Sequence, residues 1–483
     1  MRALASSFTS LALLLLAGGA SGALQGCGAS SSDPSGQPPA AVPPVTEAPA
    51  PVRGDVHVTF AQGAAPVTRV QWAEPFVARI DGLIPGEEIT LRSSSKLADG
   101  NYRAEAVFAA DASGVIDTGT TAALRGSYTG ADADGLVWSM AKTTQSIPTA
   151  GAYAFQLEVV AADGTALGSA ALPRWYVLDG ITRVPVSDNG LVGVFYAAPG
   201  KTKLPVIVTF GGSEGGLQSG EYAAMFWASR GYAALGLAYF NATGLPDYLT
   251  EVPLEYFEKA FAWVDARPEV DATKLAVMGG SRGGELALLL GASFPRVSAV
   301  IAEVPSGVSW GAPRLDGSET SSWTFRGEKL AFVPYSNAAA GQWTTPTGAK
   351  APAETPVFRD AIAKASLAAL EAAAFKVEKT NGPILMLGGG DDQLWPSCDL
   401  AEIAMNRLVA NGHDKRFADD SVCYPDSGHA STGLPGTPTA LSTAVVHPLT
   451  GELLALGGTP QGIAKAQRDA FGRIDKFLAA SLK

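Results

Sequence analysis

The sequence predicts an α/β protein in two parts: an antiparallel, immunoglobulin-like β-sandwich, then a larger domain of alternating strands and helices. Three observations predict it. From Asp55 to about Val177, short β-like runs are separated by turn signals and show no helical period. After Pro185, apolar runs alternate with stretches at helical spacing, the pattern of a parallel sheet covered on both faces. The 483 residues suffice for two or three domains. With only 17% charged residues, 55 Gly and 32 Pro, coiled coils and long helical rods are excluded. The net charge of −11, with no basic cluster, argues against a nucleic-acid partner. Three cysteines, Cys27, Cys398 and Cys423, form no C-x-x-C, which removes zinc ribbons and redox motifs.

Residues 1–26 read as an export signal. Arg2 is the only charge before Asp33, and Leu11–Ala17 is too short an apolar run to span a bilayer. Leu24-Gln25-Gly26-Cys27 looks like a bacterial lipobox, with Cys27 the lipidated residue. Cleavage near Ala20–Ala23, giving an ordinary secreted protein, is the plainer alternative. Residues 27–53 are Pro- and Ser-rich and too poor in large apolar groups to offset their ordering entropy, so they read as a tether. The expectation is a membrane-anchored lipoprotein of the bacterial cell envelope, held through its N-terminal lipid.

The sandwich is placed at 54–178. Its strands are Val56–Phe60, Phe76–Ile84, Ile89–Arg92, Tyr102–Ala110, Ala122–Tyr128 and Tyr153–Val160, with about seven in all. The second domain is placed at 179–483. Leu191–Tyr196 closes an initial hairpin, and Val206–Phe210 is apolar throughout, as a strand buried on both faces should be. A glycine loop, a helix near Tyr222–Arg230 and the strand Ala233–Phe240 follow. Leu254, Phe257, Phe261 and Val264 mark a helix before the strand Lys274–Met278. Val297–Ala302, Ile384–Leu387 and Val422–Tyr424 are later strands, and Ile463–Leu482 is a closing helix.

Two G-x-S-x-G patterns, Gly211–Gly215 and Gly279–Gly283, each follow a strand and precede a helix. Strand order separates them. In an α/β-hydrolase the nucleophile elbow follows the fifth strand and the loop after the third supplies an oxyanion donor. Ser281 is therefore the expected nucleophile, with the backbone N–H groups of Arg282 and Gly212 as the oxyanion hole. Of four histidines, His57 lies in a sandwich strand, while His413 and His447 lie in loops. His429, just past the last core strand, is the expected base. Asp391 and Asp392 follow the penultimate strand; Asp391 is taken to orient His429 and Asp392 to cap the next helix. The chemistry calls for no cofactor and no metal.

These residues resemble the family of acyl-CoA thioesterases and bile acid-CoA:amino acid N-acyltransferases. Phe210–Leu217, Leu237–Asn241 with Leu254–Glu258, Gly280–Leu286, Gly390–Asp392 with Trp395, and Tyr424-Pro425 with Gly428-His429 carry the resemblance. In the front domain Gly82–Gly86, Ile89–Arg92 and Gly135–Trp138 do so. The resemblance covers roughly 70–480. It implies a sandwich followed by an α/β-hydrolase domain, with Ser281, Asp391 and His429 as the triad. Family members that make amides carry cysteine as nucleophile. Ser281 therefore favours hydrolysis, because an acyl-serine ester yields less readily to amines. Members known for CoA chemistry work inside cells, so an exported protein fits the reaction better than the substrate.

The expected function is hydrolysis of a small-molecule acyl thioester or ester. Transfer of the acyl group to an amine or alcohol, and a non-catalytic surface-binding lipoprotein, are the competing readings; oligomeric state is left open. Residues 304–380, with Trp310, Trp323, Phe325, Phe332, Tyr335 and Trp343, read as a lid or one wall of an acyl pocket, or as a packed excursion. Cys398 and Cys423 flank the acid and base segments, and a disulfide between them is plausible in an oxidising compartment.

Overall fold

A computed structural model describes residues 52–147, 153–313 and 318–482. The signal segment, Cys27 and nearly all of the tether lie outside the described residues.

The front part holds two antiparallel sheets. One orders the strands Ala65–Pro66, His57–Gln62, Val77–Asp81 and Ile116–Asp117. The other orders Ala166–Leu172, Phe155–Ala161, Glu88–Leu97, Gly100–Ala109 and Arg125–Gly126, with Ala141–Thr143 also paired to Gly100–Ala109. Alternation sets the faces. Ile89, Leu91, Ala104, Ala106, Leu157 and Val159 are buried in a core that also holds Phe60 and Ile80 of the first sheet. Between them Arg92, Glu105 and Glu158 stay outside, where Arg92 pairs with Glu105 at 3.1 Å. The expected strand Ala122–Tyr128 shrinks to Arg125–Gly126. The amides of Thr120 and Thr121 turn back onto Asp117 O at 3.1 and 2.7 Å, which spends the approach on a turn.

The second part is built on one eight-stranded sheet: β1 (Thr182–Val186), β2 (Val192–Ala197), β3 (Leu204–Phe210), β4 (Ala233–Ala238), β5 (Val270–Gly280), β6 (Ala299–Glu303), β7 (Ile384–Gly389) and β8 (Asp420–Tyr424). Its order is 1-2-4-3-5-6-7-8. β2 runs antiparallel to both neighbours and every later pairing is parallel. Successive residues feed opposite faces. Val206, Val208, Leu275, Val277 and Met386 enter one core; Ile207, Ala276, Met278 and Leu387 enter the other. That is why these strands read as continuous apolar runs. The sheet order and its helical cover make this an α/β-hydrolase domain.

The helices that matter for the site are α1 (Gln218–Ala228), α2 (Glu255–Asp265), α3 (Arg282–Ser293), α4 (Ser397–Ala410) and α5 (Pro460–Leu482). α5 packs Ala470, Phe471, Ile474 and Leu478 on the sheet, while Ala464 joins the sandwich core. Arg468 on α5 grips Asp134 of the front part through two bonds of 2.8 Å. Both parts belong to one compact unit, Pro51–Lys483.

Candidate active site

β5 runs directly into Ser281, whose φ of 58° and ψ of −124° lie where a side chain is strained. Neighbours hold it there. Ser281 N donates to Glu303 O at 2.9 Å, and Ser281 O accepts from Glu285 N at 3.0 Å. α3 can start this close only without side chains: a Cβ on Gly283 would lie 2.5 Å from Gly211 O, and one on Gly284 2.5 Å from Glu303 O. The strand before Ser213 is β3 and the strand before Ser281 is β5, the order on which the sequence argument relied.

The Arg282 side chain is buried away from the pocket. It pairs with Glu285 at 2.6 Å and donates to Ser322 Oγ and, at 3.3 Å, to Trp310 O. Glu285 also accepts from Trp323 Nε1 at 2.8 Å. Burial pushes the Glu285 carboxyl up to about 7, against the opposing pull of Arg282 and Trp323. With its side chain anchored below, Arg282 presents its N–H at the first position of α3, where helix amides have no intrahelical acceptor.

His429 follows β8 and donates its own N–H to Leu456 O at 2.7 Å. Its Nδ1 lies 2.8 Å from Oδ2 of Asp392. Asp391 is the wrong member of the pair: its carboxylate accepts from Gly458 N at 2.9 Å and Gln393 Nε2 at 2.6 Å. The division of labour expected between the two aspartates falls to one carboxylate. Asp392 Oδ1 accepts the amides of Leu394 and Trp395 at 3.0 and 3.2 Å, leaving Oδ2 for the imidazole. His429 Nε2 is buried without a hydrogen-bond partner, and His429 and Ser281 line the same pocket of about 270 Å³.

Gly212 also departs from expectation as an oxyanion donor. Its N–H is taken by the Glu214 carboxylate, 3.0 Å from both oxygens. The loop is otherwise fixed by Tyr239 Oη on Gly211 O at 2.9 Å and by Asn241 Nδ2 on Glu214 O at 3.1 Å. Gly212 does sit against the elbow, since a Cβ there would lie 3.1 Å from Ser281 Cβ. Ser213 points elsewhere, with Oγ 3.2 Å from His447 Nε2. His413 is a structural histidine, bonded at both ring nitrogens, to Asp419 at 2.6 Å and Thr380 O at 2.9 Å. His57 is exposed on its strand.

The small pocket shares Ser219, Ala223, Met278, Glu303, Ala430, Thr432 and Gly433 with a cleft of about 940 Å³. The front part supplies Trp72, Leu97 and Tyr176 to that cleft, and α1 supplies Tyr222 and Phe226. None of the six aromatic residues singled out in 304–380 lines either space. Trp310 and Trp323 are instead fully buried in cores under the elbow and behind Trp395. Among the described residues of the segment, only Val304 lines the pocket, and the rest packs beside it as an excursion. Residues missed by sequence reasoning, Glu303 above all, carry no motif. Glu303 is legible only as a charged residue ending an otherwise apolar strand. Cys398 and Cys423 are disulfide-bonded, joining the first turn of α4 to β8.

A serine at a strained strand-to-helix turn, and a histidine–aspartate pair carried by the loops after β8 and β7, define an α/β-hydrolase site. Residues 252–483 match the family model described as BAAT / Acyl-CoA thioester hydrolase C terminal, and residues 73–188 match the Acyl-CoA thioester hydrolase/BAAT N-terminal region. Acyl-coenzyme A thioesterase 6 of Mus musculus is 31% identical over 86% of this chain and 94% of its own length. The mitochondrial acyl-coenzyme A thioesterase 2 of Rattus norvegicus is 30% identical over 90% and 93%. Among solved structures, a putative dienelactone hydrolase from Klebsiella pneumoniae aligns at 16% identity and a TM-score of 0.37, over 62% of this chain and 98% of its own. The chain belongs to the acyl-CoA thioester hydrolase/BAAT family and is an enzyme of the thioesterase type.

Proposed function

We propose that the protein hydrolyses an acyl thioester or ester through an ester on Ser281, with His429 as base and Asp392 as the group that orients it. The observation that carries this reading is the imidazole. Its Nδ1 is held by Asp392 while Nε2, without a partner, lines the pocket that Ser281 also lines. Ser281 Oγ attacks the acyl carbon as its proton passes to His429 Nε2. Asp392 stabilises the imidazolium so formed. The Arg282 N–H binds the oxyanion, and a second donor at Gly212 requires Glu214 to swing off its amide. The thiol or alcohol leaves with the proton from His429; water, activated by the same imidazole, then frees the acid. The names of the relatives suit an acyl-CoA as substrate. The acyl chain fits the apolar cleft that opens from the pocket.

Export with a lipid on Cys27 is part of the same reading. The disulfide between Cys398 and Cys423 supports an oxidising compartment. An exported enzyme meets acyl esters more readily than CoA thioesters. The deciding assay offers acyl-CoAs and nitrophenyl esters to the purified protein and follows the acyl-enzyme by mass spectrometry. An acyl adduct on Ser281 that decays to free acid is the expected result. Turnover without such an adduct, or an adduct elsewhere, overturns the mechanism. Mass spectrometry of the mature N-terminus tests the lipid, and an unmodified terminus before Cys27 sinks it.

A further inference from the structure

Glu303 ends β6 directly beside the nucleophile. Its Cα pairs with that of Gly280, and its carbonyl accepts the Ser281 amide. A methyl group built on Gly280 would lie 3.8 Å from Glu303 Oε2, so the carboxyl runs alongside the elbow. Ala299 and Ile301, on the same face of β6, enter the core beneath α5, and Glu303 continues that row into the space between sheet, α1 and the front part. It lines both the catalytic pocket and the apolar cleft, at their junction. Val304, next along the chain, holds a φ of 38°, rare and costly for a β-branched residue. Among the described residues no Lys or Arg lines either space: Ala223, Met278, Ala430 and His429 share the pocket with Glu303, Ser219 and Thr432 bring hydroxyls, and Glu214 is a second carboxylate. Burial alone pushes it up to about 8. Glu303 is half-buried, so water reaches its carboxyl until a ligand covers it, and a ligand that covers it without a hydrogen-bonding group forfeits that solvation.

We propose that Glu303 selects acyl groups carrying a hydroxyl within the first few carbons of the carbonyl. The proposal rests on the hydrolase reading for where the carbonyl sits. With the acyl carbon at Ser281 and the chain leading into the cleft, those first carbons pass Glu303. A neutral carboxyl both donates and accepts, as a hydroxyl does; a methylene does neither. A plain fatty acyl chain would cover the carboxyl and leave it unpaired.

The test separates this proposal from its parent reading by using binding. Ser281→Ala protein is titrated with methyl 3-hydroxydecanoate, methyl decanoate and methyl 3-aminodecanoate. The hydroxy ester is expected to bind about tenfold more tightly than the plain ester, the size of one buried hydrogen bond. Adding Glu303→Leu should abolish that preference, and adding Glu303→Gln, which keeps a donor and an acceptor, should retain most of it. Equal affinities, or a preference that survives Glu303→Leu, overturn the proposal. Tighter binding of the amino ester overturns the choice of hydroxyl. In the protein carrying Ser281, kcat/KM should show the same preference. If neither ester nor the matching thioesters are cleaved while the binding preference holds, the hydrolase reading fails and the selectivity stands.

Discussion

Asp391 and Asp392 are separated by what their oxygens reach, and that fixes a first expectation at the scale of single residues. Asp392→Asn should lower turnover by up to about 10⁴, because an amide at Oδ2 no longer stabilises an imidazolium. Asp391→Asn should leave turnover near normal, since an amide oxygen still accepts the Gly458 N–H. Kinetics of the two variants decide this, and an inactive Asp391→Asn beside a normal Asp392→Asn reverses it. Ser281→Ala should lose at least about 10⁴ in turnover with its melting temperature kept, while Ser213→Ala, which forfeits only the contact to His447, should lose little. Glu303 supplies a pH expectation. Its carboxyl is held up to about 8 when folded and ionises near 4.5 when unfolded, so between those values the native state binds the extra proton. Its contribution to stability is full below 4.5 and is lost as pH rises through 8. Melting temperature should therefore fall over that range, and fall less in Glu303→Gln; identical profiles would contradict a neutral Glu303. Ser281 and His429 were legible because glycines and strand order announce them. The choice between adjacent aspartates was not, because the Gly458 amide, far along the chain, takes the Asp391 carboxylate while Asp392 turns to the imidazole.

At the scale of elements, the strands of the main sheet were legible because burial on both faces leaves uninterrupted apolar runs. The excursion between β6 and β7 was not. Aromatic residues carry the same signal whether they line a pocket or fill a core, and here Trp310 and Trp323 fill cores that brace the Arg282–Glu285 pair. The bond between Cys398 and Cys423 ties α4 to β8, so it steadies the two loops that deliver Asp392 and His429. Closing a chain separation of 25 residues is worth about 3.5 kcal/mol in the chain-entropy model. Replacing both cysteines by serine should lower unfolding free energy in denaturant by that order and leave KM little changed. A variant as stable as the parent would show that the bond contributes nothing to holding the native fold.

At the scale of the whole molecule, the cleft beside the Ser281 pocket exists because two parts of the chain meet. α5 and the loop after β8 close one side, α1 another, and the front part the third. The contact between the parts is charged as well as apolar. Arg468 reaches Asp134 and Ala73 O, Arg230 bonds Glu74 at 2.7 Å, and Arg174 donates to Gly436 O at 2.8 Å. No stretch of sequence could reveal that wall, since Trp72, Leu97 and Tyr176 share no motif and no neighbourhood along the chain. The wall makes acyl-chain length the quantity to measure. Leu97→Asn places an amide where the front part faces the cleft, and partial loss of one leucine's contact is worth about 1 kcal/mol. kcat/KM for dodecanoyl esters or thioesters should then drop roughly fivefold. The acetyl substrate should be unaffected, because a two-carbon acyl group stays in the pocket that Ser281, His429 and Glu214 line and Leu97 does not. Equal losses on both substrates would mean that the front part supports the fold rather than the acyl chain, and no change on either would put the chain elsewhere.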